Sequence, residues 1–437
     1  MSEGAAKGFG KKPQPNEERR NFQAIKGTRD LLPPETALWS RVEQTAEEVF
    51  TSYGFGEVRL PIFETTDLFA RSIGLETDVV SKEMYTFVDR DETSVSLRPE
   101  ATASVCRAYI ENGMQQWPQP VRLYTIGPMF RRERPQKGRY RQFYQIDAEI
   151  LGGSEAPGID AELIEMVMTF FERLGLEGVQ LEINSIGDKK CRPKYVELLR
   201  AELGKVKDKL GPDSQRRIET NPLRVLDSKL EDEQKLIESL PHIADHLCEE
   251  CAENYLGVKK ELELRGVKYG ENWRLVRGLD YYSRTTFEIT ARGLGSQNAV
   301  CGGGRYDGLI ELLGGPPTRA TGFAIGEDRL ILSLQETGKT PAPPRRDVYI
   351  AWMGEKVYAT AIRAAKSLRT AGFSVELPPF GQKFGKALGQ ADKLGARYAL
   401  ILGDNEVASG EWTLKTLADG TQQKLSEPQL LDFLRKV

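Results

Sequence analysis

Within the run RQFYQIDAEILG, at residues 141–152, polar and apolar residues alternate from Tyr144 to Ile150, and this pattern limits the possible folds more than any other segment does. A two-residue period is that of a β-strand, so Gln145, Asp147 and Glu149 share one face while Ile146 and Ala148 lie on the other. One face can therefore pack in a core, and the opposite face presents three polar groups. Such a face is commonly solvated in antiparallel sheets, so neighbouring segments must decide whether it forms a site.

Other segments surround this strand with further regular structure. VRLYTIGPMFRRE, SVSLRPE, GEVRLPIFE and NWRLVRGLDYYSRTTFEIT read as strands, and Pro61 predicts an edge or a bulge in the third of them. An amphipathic helix is expected between Leu31 and about Tyr53. The charged, leucine-periodic stretch at about 188–262 predicts a helical insertion.

The chain has 437 residues, which exceeds the size of a single hydrophobic core and predicts at least two domains. Residues 1–21 are expected to form a flexible tail, and 22–335 the main domain. The segment ETGKTPAPPRR, at 336–346, is expected to be a linker. Alternating strand and helix patterns over 347–437 predict a small α/β domain.

Charge and composition exclude several classes of protein. The formal net charge is −3, so the overall field does not attract polyanions and any nucleic-acid contact must be local. The sequence offers no apolar run long enough to span a membrane and no signal peptide at its start, so a cytoplasmic location is expected. Five cysteines argue against a disulfide framework.

Familiar nucleotide, metal and nucleophile motifs are disfavoured. GKT at 338–340 lacks the first glycine of a phosphate loop, and CGGGRYDG at 301–308 lacks the spacing of a dinucleotide fingerprint. Cys248 and Cys251 have zinc-ligand spacing, but only His246 accompanies them, so no protein metal site is predicted. His242 and His246 are the only histidines, which leaves little for a histidine-activated nucleophile.

A local basic patch, FRRERPQKGRYR, immediately precedes the alternating strand. Its arginines can offer planar forks to phosphate groups, and its loop charges suit a nucleic-acid backbone. The alternative is an ordinary solvated basic loop.

Taken together, these segments closely resemble class II aminoacyl-tRNA synthetases, and specifically the histidyl-tRNA synthetase family. GEVRLPIFE, YTIGPMFRRERPQKGRYRQF and GFAIGEDRL are similar to the three class motifs, whereas LVRGLDYYSRTTFE and GGGRYDGL mark the histidine-specific family. The resemblance implies an α+β catalytic domain with a mixed, largely antiparallel sheet and a carboxyl-terminal anticodon-binding domain. It also implies ATP-dependent ligation of histidine to its transfer RNA, by a homodimer.

The resemblance also implies roles for individual residues. Glu100, Thr102 and Gln145 would hold the amino group of histidine, and Glu149 with Tyr282 would bind its imidazole. Tyr281 and Tyr306 would line the same pocket.

For ATP, Arg131 would contact the α-phosphate and Arg329 the γ-phosphate, while Arg277 resembles the family's catalytic arginine. Mg²⁺ would accompany the pyrophosphate. The loop residues expected to contact transfer RNA are Gln136, Lys137 and Arg139.

Two other functions compete with this interpretation. A non-catalytic, synthetase-like regulatory subunit of histidine biosynthesis would resemble the family but would generally lack the carboxyl-terminal domain. A class II synthetase for another amino acid is disfavoured by RGLDYYSRT and GGGRYDG.

Overall fold

The computed structural model describes residues 22–74, 77, 79–292, 294, 298–339 and 346–436. The expected tail at 1–21 and residues 340–345 of the expected linker lie outside these ranges. The chain divides into two compact units. The first unit contains the residues up to Leu32 and Leu38–Thr340, and the second contains Pro33–Ala37 and Pro341–Val437. Among the described residues, the structure has no helix with the length and apolarity to cross a membrane.

An eight-stranded sheet forms the centre of the first unit, and a three-stranded sheet lies beside it. The strands are β1 (Gly56–Glu57), β2 (Phe63–Thr65), β3 (Thr86–Val88), β4 (Ser94–Leu97), β5 (Val121–Phe130), β6 (Gln142–Leu151), β7 (Gln180–Ser185), β8 (Gly270–Glu271), β9 (Thr285–Thr290), β10 (Ala299–Arg305) and β11 (Ala320–Gly326).

The order in the large sheet is β1-β5-β6-β11-β10-β9-β7-β8. Neighbours from β5 to β7 pair antiparallel, and β1 and β8 pair parallel at the two edges. The predicted mixed, largely antiparallel sheet is therefore confirmed.

Helices cover this sheet and form the insertion. They are α1 (Thr36–Ser52), α2 (Thr66–Ile73), α3 (Thr102–Glu111), α4 (Pro157–Leu174), α5 (Arg192–Lys205), α6 (Pro212–Thr220), α7 (Glu231–Ile237), α8 (Glu249–Leu264), α9 (Leu309–Leu312) and α10 (Glu327–Glu336), with a π-helical turn at Val79–Glu83. The helical insertion is thus present as α5 to α8. Glu336, expected in the linker, is the last residue of α10.

The main core lies between one face of the large sheet and helices α1 and α4. Ile146 and Ala148 of β6 pack there with Val42 of α1 and Phe170 of α4, and all four side chains are completely buried. The alternation of β6 thus places its apolar side chains in the core, and its polar face lies on the opposite side of the sheet. Arg305 of β10, only 1% exposed, donates to both carboxylate oxygens of Asp160 on α4, at 3.2 and 2.9 Å.

Three expectations from the sequence were wrong in detail. Residues 272–284 form turns, bends and irregular backbone rather than strand, partly because the Asn184 side chain donates to the carbonyls of Trp273 and Leu275. GEVRLPIFE is strand only at its ends, and the Arg98 guanidinium donates to the carbonyls of Leu60 and Pro61 between them. Helix α1 begins at Thr36 instead of near Leu31, after two consecutive prolines.

The second unit is a small α/β domain. Its sheet has the order β13-β12-β14-β15-β16, from β12 (Val348–Trp352), β13 (Val375–Glu376), β14 (Tyr398–Leu402), β15 (Trp412–Thr416) and β16 (Gln422–Leu425). The helices are α11 (Tyr358–Thr370), α12 (Phe384–Lys393), α13 (Asp404–Ser409) and α14 (Glu427–Lys436). The alternation of strands and helices expected over 347–437 is therefore present.

Candidate active site

The polar face of β6 forms the floor of the candidate site. Gln145, Asp147 and Glu149 are all at least nine-tenths buried, so this face is not solvated. Glycine makes room for it in the neighbouring strand: Gly322 pairs with Glu149, and a Cβ added to Gly322 would lie 1.5 Å from the Glu149 carboxylate. The sheet is therefore locally adapted to hold a buried acid.

Glu149 is held by two hydroxyl groups. Thr102 Oγ1 donates to one carboxylate oxygen at 2.6 Å, and Tyr306 OH donates to the other at 2.5 Å. Burial disfavours the charged form and raises the pKa of Glu149 to about 8, although both hydrogen bonds act in the opposite direction. Near neutral pH this carboxyl group is poised to share a proton with a basic ligand.

Glu100 lies at the start of α3. Its carboxylate accepts the backbone N–H groups of Thr102 and Ala103, each at 2.9 Å, so it caps the first turn of the helix. Burial raises the pKa of Glu100 above its usual value. Tyr281 OH donates to Glu100 at 3.4 Å, which joins this acid to the aromatic side of the site.

Three tyrosines form a wall beside these acids. The rings of Tyr281 and Tyr282 have centroids 4.7 Å apart, and those of Tyr281 and Tyr306 are 5.6 Å apart in an edge-to-face arrangement. Burial raises the pKa of Tyr282 to about 12, so its hydroxyl remains a hydrogen-bond donor at neutral pH. Tyr281 and Tyr282, which line the cleft, therefore offer hydroxyl groups and ring faces to a small planar ligand.

Three arginines project into the same cleft from different elements. Arg131 follows β5 and donates through Nε to Pro99 O at 2.9 Å, with its guanidinium 5.2 Å from the Phe143 ring centroid. Arg329, on the first turn of α10, donates through Nη1 to Ala299 O at 3.1 Å.

The third arginine, Arg277, donates to Glu288 at 3.1 Å. It lies over Gly302 of β10, where a Cβ would be 1.9 Å from its Nη2. Backbone and carboxylate contacts thus fix all three guanidinium groups while leaving further donors for an anion.

The cleft has a volume of about 420 Å³. Its walls bring together most of the residues predicted from the sequence: Glu100, Thr102, Arg131, Arg139, Gln145, Arg277, Tyr281, Tyr282 and Arg329. Glu149, which accepts from Thr102, and Tyr306, which donates to Glu149, do not themselves line the open cleft. The sequence reasoning missed Glu133 and Glu288, which also line the cleft; both stand within quoted motifs, but no pattern distinguished them.

The predicted contacts to transfer RNA lie on a tight loop at the edge of the cleft. The backbones of Gln136 and Arg139 exchange two hydrogen bonds, at 3.1 and 2.9 Å. Arg139 is paired with Glu133 and lines the cleft, whereas Lys137 is two-thirds exposed and reaches Glu336. Only Arg139 of the three therefore contacts the cleft itself.

Comparison with known proteins shows the family. A family model described as histidyl-tRNA synthetase matches residues 27–187 and 200–330, and one described as an anticodon binding domain matches 347–437. The histidine–tRNA ligase of Solibacter usitatus (strain Ellin6076) is 54% identical over 410 residues, covering 94% of this chain and 98% of the relative. That of Koribacter versatilis (strain Ellin345) is 51% identical over 424 residues, covering 95% and 96%.

Solved structures agree. The crystal structure of apo S. aureus histidyl-tRNA synthetase is 37% identical, with a TM-score of 0.80, and the match covers 95% of this chain and all of that one. A Bacillus halodurans C structure described as an ATP phosphoribosyltransferase regulatory subunit/histidyl-tRNA synthetase is 22% identical with a TM-score of 0.65, and thus shares the fold. The family model, the relatives and the fold agree, and the chain belongs to the histidyl-tRNA synthetase family.

Proposed function

We propose that the cleft between β6 and the three arginines activates histidine with ATP, and that the resulting histidyl-adenylate then acylates the cognate transfer RNA. Membership of the family assigns the overall reaction, an ATP-dependent ligation of histidine to tRNA. The observation that supports the residue roles is the convergence of buried acids, tyrosine hydroxyls and fixed guanidinium groups on one cleft.

Histidine would bind over the polar face of β6. Its α-ammonium group would be held by Glu100, Thr102 and Gln145. The side-chain amide oxygen of Gln145 is buried and has no hydrogen-bond partner among the described residues, so it is available to an ammonium donor. The imidazole would meet Glu149 and Tyr282, because a carboxylate facing a ring N–H rejects amino acids that lack this donor.

The chemical step would be supported by the three arginines. Attack of the histidine carboxylate on the α-phosphorus builds negative charge on non-bridging phosphate oxygens. Arg131 and Arg277 would stabilise this charge, and Arg329 would bind the γ-phosphate. Since backbone carbonyls and Glu288 already orient these groups, little reorganisation is required during the reaction.

Magnesium fits this cleft as an ion carried by the nucleotide. The carboxylates of Glu133 and Glu288 line the cleft, but each already pairs with an arginine, at 3.1 Å in both cases. Mg²⁺ is commonly bound by one or two carboxylates together with substrate phosphates, and these two acids could supply such oxygens. The ion would neutralise charge on the pyrophosphate.

The transfer RNA would approach across the loop that carries Gln136, Lys137 and Arg139, with the second unit as the anticodon-binding domain. The terminal ribose hydroxyl of the transfer RNA would attack the carbonyl carbon of the adenylate, so that the new ester bond forms as the acyl–phosphate bond breaks and AMP leaves. The homodimer and the cytoplasmic location expected from the sequence stay predictions.

The non-catalytic alternative is addressed by the same cleft. A subunit that only senses histidine needs the acids and tyrosines but has no use for three guanidinium groups placed for a triphosphate. This chain has both sets, and it also has the carboxyl-terminal unit. The catalytic function is therefore favoured.

The test is amino-acid-dependent exchange of labelled pyrophosphate into ATP, with each of the twenty amino acids. We expect exchange with histidine alone and a fall in kcat of about 10²–10³-fold for Arg277→Ala, the usual cost of losing one transition-state donor. Arg216→Ala is the matched control, since Arg216 is an exposed arginine on α6, and it should retain full exchange. No exchange with any amino acid would favour the regulatory subunit.

A further inference from the structure

Four potential metal ligands outside the cleft meet at one point. Asp188 and Cys191 lie on the loop between β7 and α5, and Cys248 and Cys251 lie at the start of α8. One carboxylate oxygen and three sulfur atoms all lie within 4.8 Å of one another. The two segments are far apart in sequence, and each contributes two ligands with two residues between them.

The loop that carries the first two ligands is shaped around a sulfur atom. Gly187 has φ of +64°, and a Cβ at this position would lie 2.7 Å from Cys191 Sγ, so only glycine fits. The backbone N–H of Asp188 donates to the same sulfur at 3.4 Å. Hydrogen bonds from backbone N–H groups stabilise a sulfur that carries negative charge.

The second pair of ligands is presented by a helix start. Cys248 immediately precedes α8, and Cys251, in its first turn, is completely buried. Thiolates near a helix N-terminus are favoured by the helix dipole. A glycine-containing turn and a helix start thus bring three sulfur atoms and one carboxylate to a common point.

One guanidinium group lies beside the cluster. Arg284 Nη2 lies 3.8 Å from the Asp188 carboxylate, and the Arg284 backbone N–H donates to Gly187 O at 2.7 Å. Arg284 adopts a left-handed φ of +53°, which is unusual for a residue other than glycine and shows that its position is firmly held. Three thiolates and a carboxylate around a divalent ion leave a net negative charge, which this guanidinium would offset.

We propose that Asp188, Cys191, Cys248 and Cys251 bind one structural Zn²⁺ ion. Thiolate ligands select zinc over magnesium or calcium. Tetrahedral zinc has Zn–S distances of about 2.3 Å and Zn–O distances of about 2.0–2.2 Å, so its ligands lie about 3.5–3.8 Å apart. The observed cluster needs a contraction of only about 1 Å. Four protein ligands leave no open position, which is typical of a structural rather than a catalytic site.

His246, the third ligand considered from the sequence, is not part of this cluster; its ring lies against Tyr195, with centroids 5.8 Å apart. The sequence did not predict the site because Asp188 and Cys191 lie at the start of the insertion, whereas Cys248 and Cys251 lie near its end. Asp188 and Cys191 have the same two-residue spacing as the CxxC pair, and this was the available signal.

The ion would tie the insertion to the active-site wall. The loop that bears Cys191 continues into Arg192, which donates to the carbonyl of Tyr282 at 2.7 Å. Ile186 N–H donates to Arg284 O at 2.8 Å on the same segment. A bond from this loop to α8 would therefore fix the backbone next to Tyr282.

The experiment measures the metal content of the full chain. Protein is purified under reducing conditions without chelator or affinity metal, and metals are quantified by inductively coupled plasma mass spectrometry. We expect about one zinc per chain in the wild type and less than about a tenth of that in Cys248→Ser and in Cys251→Ser. Cys106→Ser is the matched control, because Cys106 is buried in a separate hydrophobic cluster on α3 and should retain zinc.

If a cysteine variant fails to fold, a second experiment uses the wild-type chain. Its zinc is removed with a thiol-specific mercurial and a chelator, and Co²⁺ is added. Tetrahedral cobalt–thiolate absorption, with three fewer reactive thiols than in the metal-free chain, would support the site. Wild-type chain that contains no zinc and takes up neither Zn²⁺ nor Co²⁺ overturns the proposal, as does a disulfide among these cysteines in the reduced preparation.

Discussion

The raised pKa of Glu149 leads to a specific pH dependence of histidine activation. Between about pH 6.5, the ordinary pKa of imidazole, and about 8, that of Glu149, free histidine carries a neutral ring and Glu149 is protonated. Relative to a carboxylate and a neutral ring, the carboxyl group and the ring together carry one additional proton, and a carboxylate–imidazolium pair carries the same number. Binding in this window therefore needs no net proton transfer with solvent.

Outside the window, binding requires proton release or uptake. Below about pH 6.5 free histidine is protonated and one proton must be released, whereas above about pH 8 Glu149 is ionised and one must be taken up. We expect kcat/KM for histidine to be bell-shaped, falling about tenfold per pH unit on each side, since kcat/KM reports the free enzyme and free substrate. Pyrophosphate exchange at saturating ATP from pH 5.5 to 9.5 measures this profile.

The perturbation is Glu149→Gln. The amide keeps the size of the side chain and can still contact Thr102 and Tyr306, but it loses a charge-assisted hydrogen bond worth about 1.5–3 kcal/mol. We expect kcat/KM at pH 7.5 to fall about 10- to 150-fold. The fall in kcat/KM above about pH 8 should disappear, because it is due to Glu149. The fall below about pH 6.5 should remain, because it is due to the imidazole of free histidine.

Asp147→Asn is the matched control, two residues earlier on the same face of β6. Asp147 is also buried, and burial raises its pKa well above the usual range, so it could produce a similar limb. Glu149 is not the titrating group if the wild-type profile rises through pH 8, or if the fall above pH 8 survives in Glu149→Gln and is lost in Asp147→Asn.

Three further predictions concern other contacts. Gly322→Ala would place a Cβ 1.5 Å from the Glu149 carboxylate, so KM for histidine should rise at least about tenfold while KM for ATP stays unchanged. A KM for histidine equal to that of the wild type would contradict the close contact between Gly322 and Glu149. Asp160→Ala leaves Arg305 buried without its main partner and should lower the free energy of unfolding, measured by urea denaturation, by about 3–5 kcal/mol. A loss below about 1 kcal/mol would show that the pair contributes no more than an exposed surface ion pair. Lys137→Ala should reduce the slope of log Kd for histidine tRNA against log salt by about 1, and an unchanged slope would remove Lys137 from the RNA contact.

What could be predicted from the sequence was largely local. The face of β6 follows from a two-residue period, and α1 follows from Leu38, Val42 and Ala46 at helical spacing, all of which are buried. Both patterns are set by the backbone geometry of a single element, so they survive folding unchanged. Roles within the cleft came from the resemblance to a family and could not be obtained from these periods.

The features that escaped prediction depend on contacts between distant segments. The Asn184 side chain, on β7, donates hydrogen bonds to the carbonyls of Trp273 and Leu275, so a segment with strand-like composition forms turns and irregular backbone. The partners of Cys248 and Cys251 lie on a loop that only the folded insertion brings near. Sequence spacing marks each pair as possible metal ligands, but it does not show which two loops will meet.

The polar face of β6 also bears on whether the fold is used for catalysis or only retained. Burying Asp147 and Glu149 disfavours their charged forms, and neither carboxylate oxygen of Asp147 has a hydrogen-bond partner among the described residues. The stabilising core lies on the opposite face, around Ile146 and Ala148, and has no need of these acids. Apolar side chains at the two positions would suit stability better. Acids buried against a cleft that also holds three fixed guanidinium groups fit the proposed function, in which the ammonium and imidazole groups of histidine meet a triphosphate and histidyl-adenylate forms.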